Sequence, residues 1–288
     1  MAKLGVITDG ISRDLERALE VMKEAGLEYA ELQYLWDKEV GDLDDVEMAR
    51  AHALVESYGV EVSCISRHNF AGMLVGQTEV GDENHTKHME GLKRCIEMAK
   101  TFGTSLVRIM SFRREMILFG RGGADHWVAS KGAWNKLLEL LGPPVQLAED
   151  QDVTLVLETG NNGMIPSGYL GRKLIDDLGS SRLKILWDPC NSLFANEPTH
   201  PDGYEALGVD GLGHIHIKDA RVDMPKATVE FCTLGAGDMA SYLQPLAADL
   251  EKDGYDGVIS LESVYRPDGG DFEDGFKASV GEFKRLFG

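Results

Sequence analysis

Four polar residues each lie at the end of a short aliphatic run, an unusual place for a charge. Glu158 ends LVLE, Asp188 ends ILWD, Glu262 ends ISLE, and His216 lies in GHIHIKD. A carboxylate is costly to bury unless it is paired or bound to a cation. Three carboxylates and an imidazole are suitable ligands for Mn²⁺, Co²⁺, Mg²⁺ or Zn²⁺. The sequence therefore predicts one divalent metal ion held by these four residues.

The segment GHIHIKD contains a second histidine, and its position decides which one is the ligand. Side chains alternate along a strand, so His214 and His216 point to the same side. His216 lies nearer the carboxyl end, level with the carboxylates, and we assign it as the ligand. His214 lies one layer deeper and is predicted to be a core group or a support for the ligands. Lys218 faces the same way and is predicted to contact a substrate oxygen, whereas Asp219 is expected to orient a neighbour or cap the next turn.

The four candidate ligands belong to a repeating pattern of strands and helices. Amphipathic helical segments separate Val-, Ile- and Leu-rich runs at 3–9, 29–36, 60–67, 105–112, 152–159, 183–189, 212–219 and 256–263. Eight such repeats without a linker predict an α/β fold, a closed (β/α)8 TIM barrel that forms one domain over residues 1–288. No GxGxxG loop follows the first strand, which argues against a doubly wound sheet. Active sites of barrels lie at the carboxyl ends of the strands, where the four residues fall.

Composition excludes several classes of protein. The net charge of −19 opposes binding to nucleic acid. The four cysteines are scattered without a CxxC pair, so they predict neither a disulfide framework nor a structural zinc site. The chain has no apolar run of about 18 residues and no signal peptide at its start. We therefore expect a cytoplasmic protein that has no membrane or nucleic-acid partner.

Four stretches of the chain resemble the xylose isomerase-like TIM-barrel superfamily. They are LVLETG, WDPCN, HIHIKD and the long segment TLGAGDMASYLQPLAADLEKDGYDGVISLES. This superfamily includes sugar isomerases and epimerases, inosose dehydratases and apurinic endonucleases. The resemblance implies that Glu158, Asp188, His216 and Glu262 are the metal ligands, and its His-x-Lys-Asp match also selects His216.

In the ketose epimerases of this superfamily, two glutamates flank the substrate and move its proton. The resemblance therefore implies that Glu158 and Glu262 are the catalytic acid and base, with proton transfer next to a carbonyl through an enediolate. The chain departs from the ketose epimerases at Asn191, Val222 and Met164, where they carry histidine, arginine and glutamate. The endonuclease pattern also fails, because the fourth strand offers no histidine for a multi-zinc centre.

Further residues near the predicted rim are candidates for substrate binding. His68 follows the third strand, Arg113 follows the fourth, Trp36 ends the second, and Asn191 follows the sixth. A tryptophan can stack on the face of a sugar. Core packing or a loop position is the alternative for each of them. The Gly-rich segment 111–127 is a candidate lid or oligomer contact.

The sequence leaves several functions open. A metal-dependent isomerase or epimerase acting on a sugar or polyol is the first hypothesis. A dehydratase or lyase acting on a keto-inositol or keto-sugar would use the same proton abstraction and then expel a β-hydroxyl. A non-catalytic sugar-binding barrel and an apurinic endonuclease are the remaining alternatives. The expected partner is a small sugar or polyol, and relatives suggest a homodimer or homotetramer.

Overall fold

The fold is described by a computed structural model that covers residues 2–114, 123–195 and 197–288, with the side chains of 123–131 and of Phe194 left out. The predicted segment 111–127, a candidate lid or oligomer contact, falls largely outside the described residues. Within them, no helix is both long enough and apolar enough to cross a lipid bilayer.

Eight parallel strands close into a barrel, as the sequence predicts. Each strand pairs with the next one along the chain, and the last pairs with the first. The strands are β1 (Lys3–Ile7), β2 (Tyr29–Leu32), β3 (Glu61–Ile65), β4 (Leu106–Met110), β5 (Thr154–Glu158), β6 (Leu183–Trp187), β7 (Leu212–Ile217) and β8 (Val258–Leu261). All eight lie within the predicted runs.

Helices surround the barrel and bury their apolar faces against it. They are α1 (Leu15–Ala25), α2 (Asp45–Tyr58), α3 (Glu83–Phe102), α4 (Gly123–Gln151), α5 (Gly168–Leu178), α6 (Pro189–Phe194), α7 (Tyr204–Leu207), α8 (Ala240–Lys252) and α9 (Phe272–Phe287). Asp14 caps the start of α1, and Gly26 ends it with φ of 70°. Glycine closes a helix in this left-handed conformation with little strain.

Two hairpins follow barrel strands and were not predicted. The first joins Tyr34–Leu35 to Lys38–Glu39 directly after β2. The second joins Asp219–Asp223 to Thr228–Cys232 directly after β7. The predicted second strand was therefore too long, since β2 ends at Leu32 and the chain then turns into a separate hairpin.

The interior of the barrel has an apolar floor and a polar upper part. Cys64, Val156 and Leu186 form a small buried cluster with Leu106 packed against it. Inward-facing side chains alternate along each strand, so the next inward positions on β5 and β6 are Glu158 and Asp188. The charged residues are thereby collected at the carboxyl end of the barrel.

Candidate metal centre

The four predicted ligands come together at the carboxyl end of the barrel. Each of Glu158, Asp188, His216 and Glu262 offers one ligand atom, and these atoms all lie within 4.8 Å of one another. His216 Nδ1 lies 3.6 Å from Oε1 of Glu158 and 3.7 Å from Oε2 of Glu262. The imidazole therefore directs Nδ1 into a space bounded by carboxylate oxygens.

Local structure explains how each ligand is placed. Glu158 is the last residue of β5, and His216 is the second-last residue of β7. Asp188 follows β6 and caps α6, because its Oδ1 accepts hydrogen bonds from the backbone N–H groups of Cys190 at 3.0 Å and Asn191 at 3.2 Å. Glu262 follows β8, and its backbone N–H donates to the carbonyl of Ile217 at 2.9 Å.

Lys218 lies inside this cluster rather than beside it. Its Nζ donates to Oδ2 of Asp188 and, at 2.6 Å, to Oε2 of Glu262. The side chain is 6% exposed. Lys218 was predicted to contact the substrate, but its ammonium group is occupied by two candidate metal ligands.

Arg108 contacts the cluster through Glu158. Its Nη1 donates to Oε2 of Glu158 at 2.9 Å, and its Nη2 donates to the carbonyl of Ser66 at 3.0 Å. The guanidinium is almost completely buried. The sequence signal was a lone arginine within the aliphatic run LVRIM, and we did not assign it to the site.

Glu31 is a second buried acid that the sequence did not assign. It lies in β2, is fully buried, and its carboxylate contacts both histidines of β7. His214 Nε2 is 2.8 Å from Oε2 of Glu31 and His216 Nε2 is 2.9 Å from Oε1. His214 therefore shares the carboxylate of Glu31 with His216 and lies two residues before it on the strand.

Electrostatics keep the two glutamates ionised. Burial would raise the pKa of Glu158, but Arg108 and His216 hold it well below its usual range. Burial likewise opposes ionisation of Glu262, and Lys218 lowers its pKa overall. Burial raises the pKa of Asp188 against the effect of Lys218. Burial would lower the pKa of His216, but Glu31 and Glu158 raise it to about 10.

The donor set fits a divalent cation. His216 Nδ1 is buried and has no hydrogen-bond partner among the described residues. Arg108 contacts Glu158, Lys218 contacts Asp188 and Glu262, and the imidazole of His216 contacts Glu31. Carboxylates with one imidazole suit Mn²⁺, Co²⁺, Mg²⁺ and Zn²⁺.

A cleft opens next to Glu262. It has a volume of about 220 Å³ and its lining includes Asp9, Arg13, Gln33 and Tyr34. Oδ1 of Asp9 accepts from the backbone N–H of Tyr34 at 3.2 Å. Hydroxyl, amide and charged groups thus border one candidate ligand, and a small polar molecule could reach it there.

The remaining predicted substrate-binding residues contact other parts of the protein. His68 Nδ1 is 2.6 Å from Oε1 of Glu39 in the first hairpin. Asn191 donates its side-chain N–H to the carbonyl of Thr159 at 2.8 Å. Trp36 is covered on one ring face by Arg50, whose Cζ is 4.3 Å from the ring centroid. Arg113 is exposed and pairs through its backbone with neighbouring loops.

Asp219 holds the glycine-rich loop before α8. Its carboxylate accepts from the backbone N–H groups of Gly235 at 2.9 Å, Gly237 at 2.9 Å and Met239 at 3.0 Å. A Cβ at Gly237 would lie 2.3 Å from Oδ1 of Asp219, so only glycine fits there. This contact orients a neighbouring segment, which is one of the two roles expected for Asp219.

Comparison with known proteins defines the class of this barrel. The sequence profile of the xylose isomerase-like TIM barrel family matches residues 19–286, and the chain belongs to this family. A sequence search of curated proteins finds no match.

Solved structures of similar fold include sugar epimerases. A structure of the IOLI protein with a binding zinc atom superposes with a TM-score of 0.73 at 15% identity, covering 99% of this chain and 98% of that one. L-ribulose 3-epimerase gives a TM-score of 0.71 at 19% identity, with coverage of 100% and 95%. The 3-keto-D-glucoside 4-epimerase from E. coli gives 0.69 at 20% identity, with coverage of 99% of both chains. At these identities the likeness establishes the fold.

Proposed function

We propose that this protein is a divalent-metal-dependent isomerase or epimerase that acts on a keto-sugar or a keto-polyol. The observation that carries the proposal is the cluster of Glu158, Asp188, His216 and Glu262, whose ligand atoms lie within 4.8 Å of one another beside an open cleft. The sugar epimerases among the proteins of similar fold support the same reaction class.

The metal ion would be held by the four residues of that cluster. When bound, a divalent cation withdraws electron density from a substrate carbonyl and makes the neighbouring C–H more acidic. His216 would bind through Nδ1, because Nε2 already contacts Glu31. Mn²⁺, Co²⁺, Mg²⁺ and Zn²⁺ are all compatible with this donor set.

Glu262 and Glu158 would move the proton. Both have a lowered pKa and are therefore carboxylates near neutral pH, as a base must be. Glu262 borders the cleft and is 19% exposed, so it is the better placed to take a proton from the substrate. For epimerisation, Glu158 would first take up a proton from solvent and then give it to the opposite face of the same carbon, while Glu262 would release the abstracted proton to solvent.

The cleft favours an uncharged polyhydroxy substrate. Asp9 and Glu262 place two acidic side chains on its wall, and these repel a phosphate group. Arg13 also lines the cleft, but its Nη1 already pairs with Oδ1 of Asp37 at 3.0 Å. Gln33 and Tyr34 can exchange hydrogen bonds with hydroxyl groups. We therefore propose unphosphorylated keto-sugars or keto-inositols as substrates.

Solvent-deuterium exchange tests this function. The protein is loaded separately with Mn²⁺, Co²⁺, Mg²⁺ and Zn²⁺ and incubated in D2O with a panel of keto-sugars and keto-inositols, which are then followed by NMR. We expect deuterium to enter the carbon next to the carbonyl without loss of water. Loss of water with a new conjugated absorbance would instead assign a dehydratase. Sugar binding without exchange by the metal-loaded protein would assign a non-catalytic barrel.

A further inference from the structure

Glu31 connects two histidines through one buried carboxylate. Its Oε2 lies 2.8 Å from Nε2 of His214, and its Oε1 lies 2.9 Å from Nε2 of His216. Ser66 donates a third hydrogen bond, from its Oγ to Oε1. Glu31 and both histidine side chains are completely inaccessible to solvent. Each of these polar groups therefore depends on the others for its hydrogen bonds.

Irregularities in the barrel strands place the partners of this contact. The pairing of β2 with β3 shifts by one residue between Ala30 and Glu31. The pairing of β6 with β7 shifts between Ile185 and Leu186, where Leu212 is followed by His214 as the next paired residue of β7. Bulges of this kind change the direction of a side chain and occur often beside active sites. One shift lies at Glu31 and the other directly before His214, so both occur at members of the same hydrogen-bonded group.

We propose that Glu31 is a positioning residue that fixes the orientation and the tautomer of His216. A neutral imidazole carries its proton on one nitrogen only. By accepting the Nε2–H of His216, Glu31 makes Nδ1 the nitrogen that would give up its proton to bind a metal, and it directs Nδ1 toward Glu158 and Glu262. A carboxylate that accepts the outer N–H of a metal-binding histidine also strengthens the nitrogen as a ligand. The inference rests on the proposed metal site.

His214 and Ser260 hold the carboxylate in place. His214 Nε2 is 3.0 Å from Oγ of Ser260 as well as 2.8 Å from Glu31. Glu31, His214 and His216 have the composition of a metal site of their own. However, Nε2 of both histidines already shares hydrogen bonds with the carboxylate of Glu31. We therefore assign this group as support for His216 rather than as a second ion site.

The test compares two nearly isosteric substitutions in the full-length protein. In Glu31→Gln the amide keeps one acceptor oxygen but turns the other position into a donor, which cannot accept the second Nε2–H. Thr8→Val is the matched control, because Thr8 Oγ1 donates to the backbone carbonyl of Glu31 at 3.2 Å and does not contact its carboxylate. Zn²⁺ affinity is measured by competition with a chromophoric chelator, and the Co²⁺-loaded proteins are compared by visible absorption.

We expect Glu31→Gln to weaken Zn²⁺ binding about 10–100-fold and to change the Co²⁺ spectrum. Thr8→Val should keep the Zn²⁺ affinity and the Co²⁺ spectrum of the wild-type protein. Equal affinity and an unchanged spectrum in Glu31→Gln would overturn the role of Glu31 while the metal site stands. If the wild-type protein binds no metal, the proposed function fails together with the role of Glu31. Failure of the role of Glu31 alone can therefore be distinguished from failure of the metal site.

A measurement on the wild-type protein covers the case in which Glu31→Gln does not fold. Nitrogen-15 NMR of histidine side chains in the Zn²⁺-loaded protein should show His216 with a proton on Nε2 and the metal on Nδ1. The reverse arrangement, with the metal on Nε2, would overturn the proposal without any variant.

Discussion

The ammonium group of Lys218 lies 2.6 Å from a carboxylate oxygen of Glu262 and also donates to Asp188. One buried cation therefore joins two of the four candidate metal ligands. These two carboxylates would otherwise face each other inside the barrel, where like charges repel strongly. Lys218 thus partly neutralises the carboxylates of the site. A bound metal ion would contact two of the same carboxylates.

Lys218→Met should destabilise the metal-free protein by about 3–5 kcal/mol, because two buried carboxylates lose their cation. Added Zn²⁺ or Mn²⁺ should then raise Tm more than it does in the wild-type protein. Thermal unfolding with and without metal measures both effects. Lys184→Met, which removes an exposed ammonium bound to the carbonyl of Asp210, is the control and should change little. An equal metal-induced rise in Tm for Lys218→Met and the wild-type protein would contradict this account.

Glu262→Gln should lower kcat about 10²–10⁴-fold, the usual contribution of a positioned acid or base. The amide cannot take up the proton, whereas its oxygen can still contribute weakly to the metal site. The rate of deuterium exchange and the metal content are measured on the same sample. Glu282→Gln on the surface of α9 is the control, since Glu282 pairs with Arg285 away from the barrel rim. Full activity in Glu262→Gln would exclude its role as acid or base.

Arg108→Met should lower the free energy of unfolding by about 3–5 kcal/mol, because it leaves the buried carboxylate of Glu158 without its partner. Urea unfolding at neutral pH measures the loss. Arg182→Met serves as the control, since its partner Asp152 is largely exposed and such pairs contribute little. A loss no larger than that of the control would mean that water or another cation replaces Arg108.

Arg17 and Glu273 give a separate prediction on pH. Arg17 lowers the pKa of Glu273 from 4.5 to about 2, and the pair joins α1 to α9. The native pKa lies below the ordinary value, so this stabilisation is present above pH 4.5 and is lost as the pH falls toward 2. Glu273→Gln should therefore be slightly less stable than the wild-type protein at pH 7, because a partly exposed pair contributes little. The difference, followed by urea unfolding, should shrink at pH 3, and a constant difference would refute the assignment.

The sequence predicted the parts of the site that depend on strand periodicity. A residue at the carboxyl end of a barrel strand is recognisable from the aliphatic run before it, and Glu158, Asp188 and Glu262 were found in this way. The choice of His216 over His214 followed from its position nearer the carboxyl end of the strand. These inferences need only local pattern and the rule that barrel strands end at one rim.

The contacts that cross the barrel could not be predicted from local sequence patterns. Glu31 and His216 are separated by 185 residues, and only closure of the barrel brings them together. The register shift at Glu31 leaves no clear signal in the sequence. Lys218 was read as a substrate contact because its side of the strand was known, whereas its partners depend on the positions of Asp188 and Glu262. The hairpin after β2 was missed because its residues continue the apolar pattern of the strand.

The layering of the barrel has a consequence for directed evolution. Glu31 and His214 are buried on strands beneath the candidate ligands, whereas Arg13, Gln33 and Tyr34 line the cleft from segments beyond the strand ends. The groups that aim the imidazole are thus separate from the groups that meet a substrate. A combinatorial library at the three cleft positions can therefore be screened for activity on new sugars, while the residues that orient His216 stay unchanged.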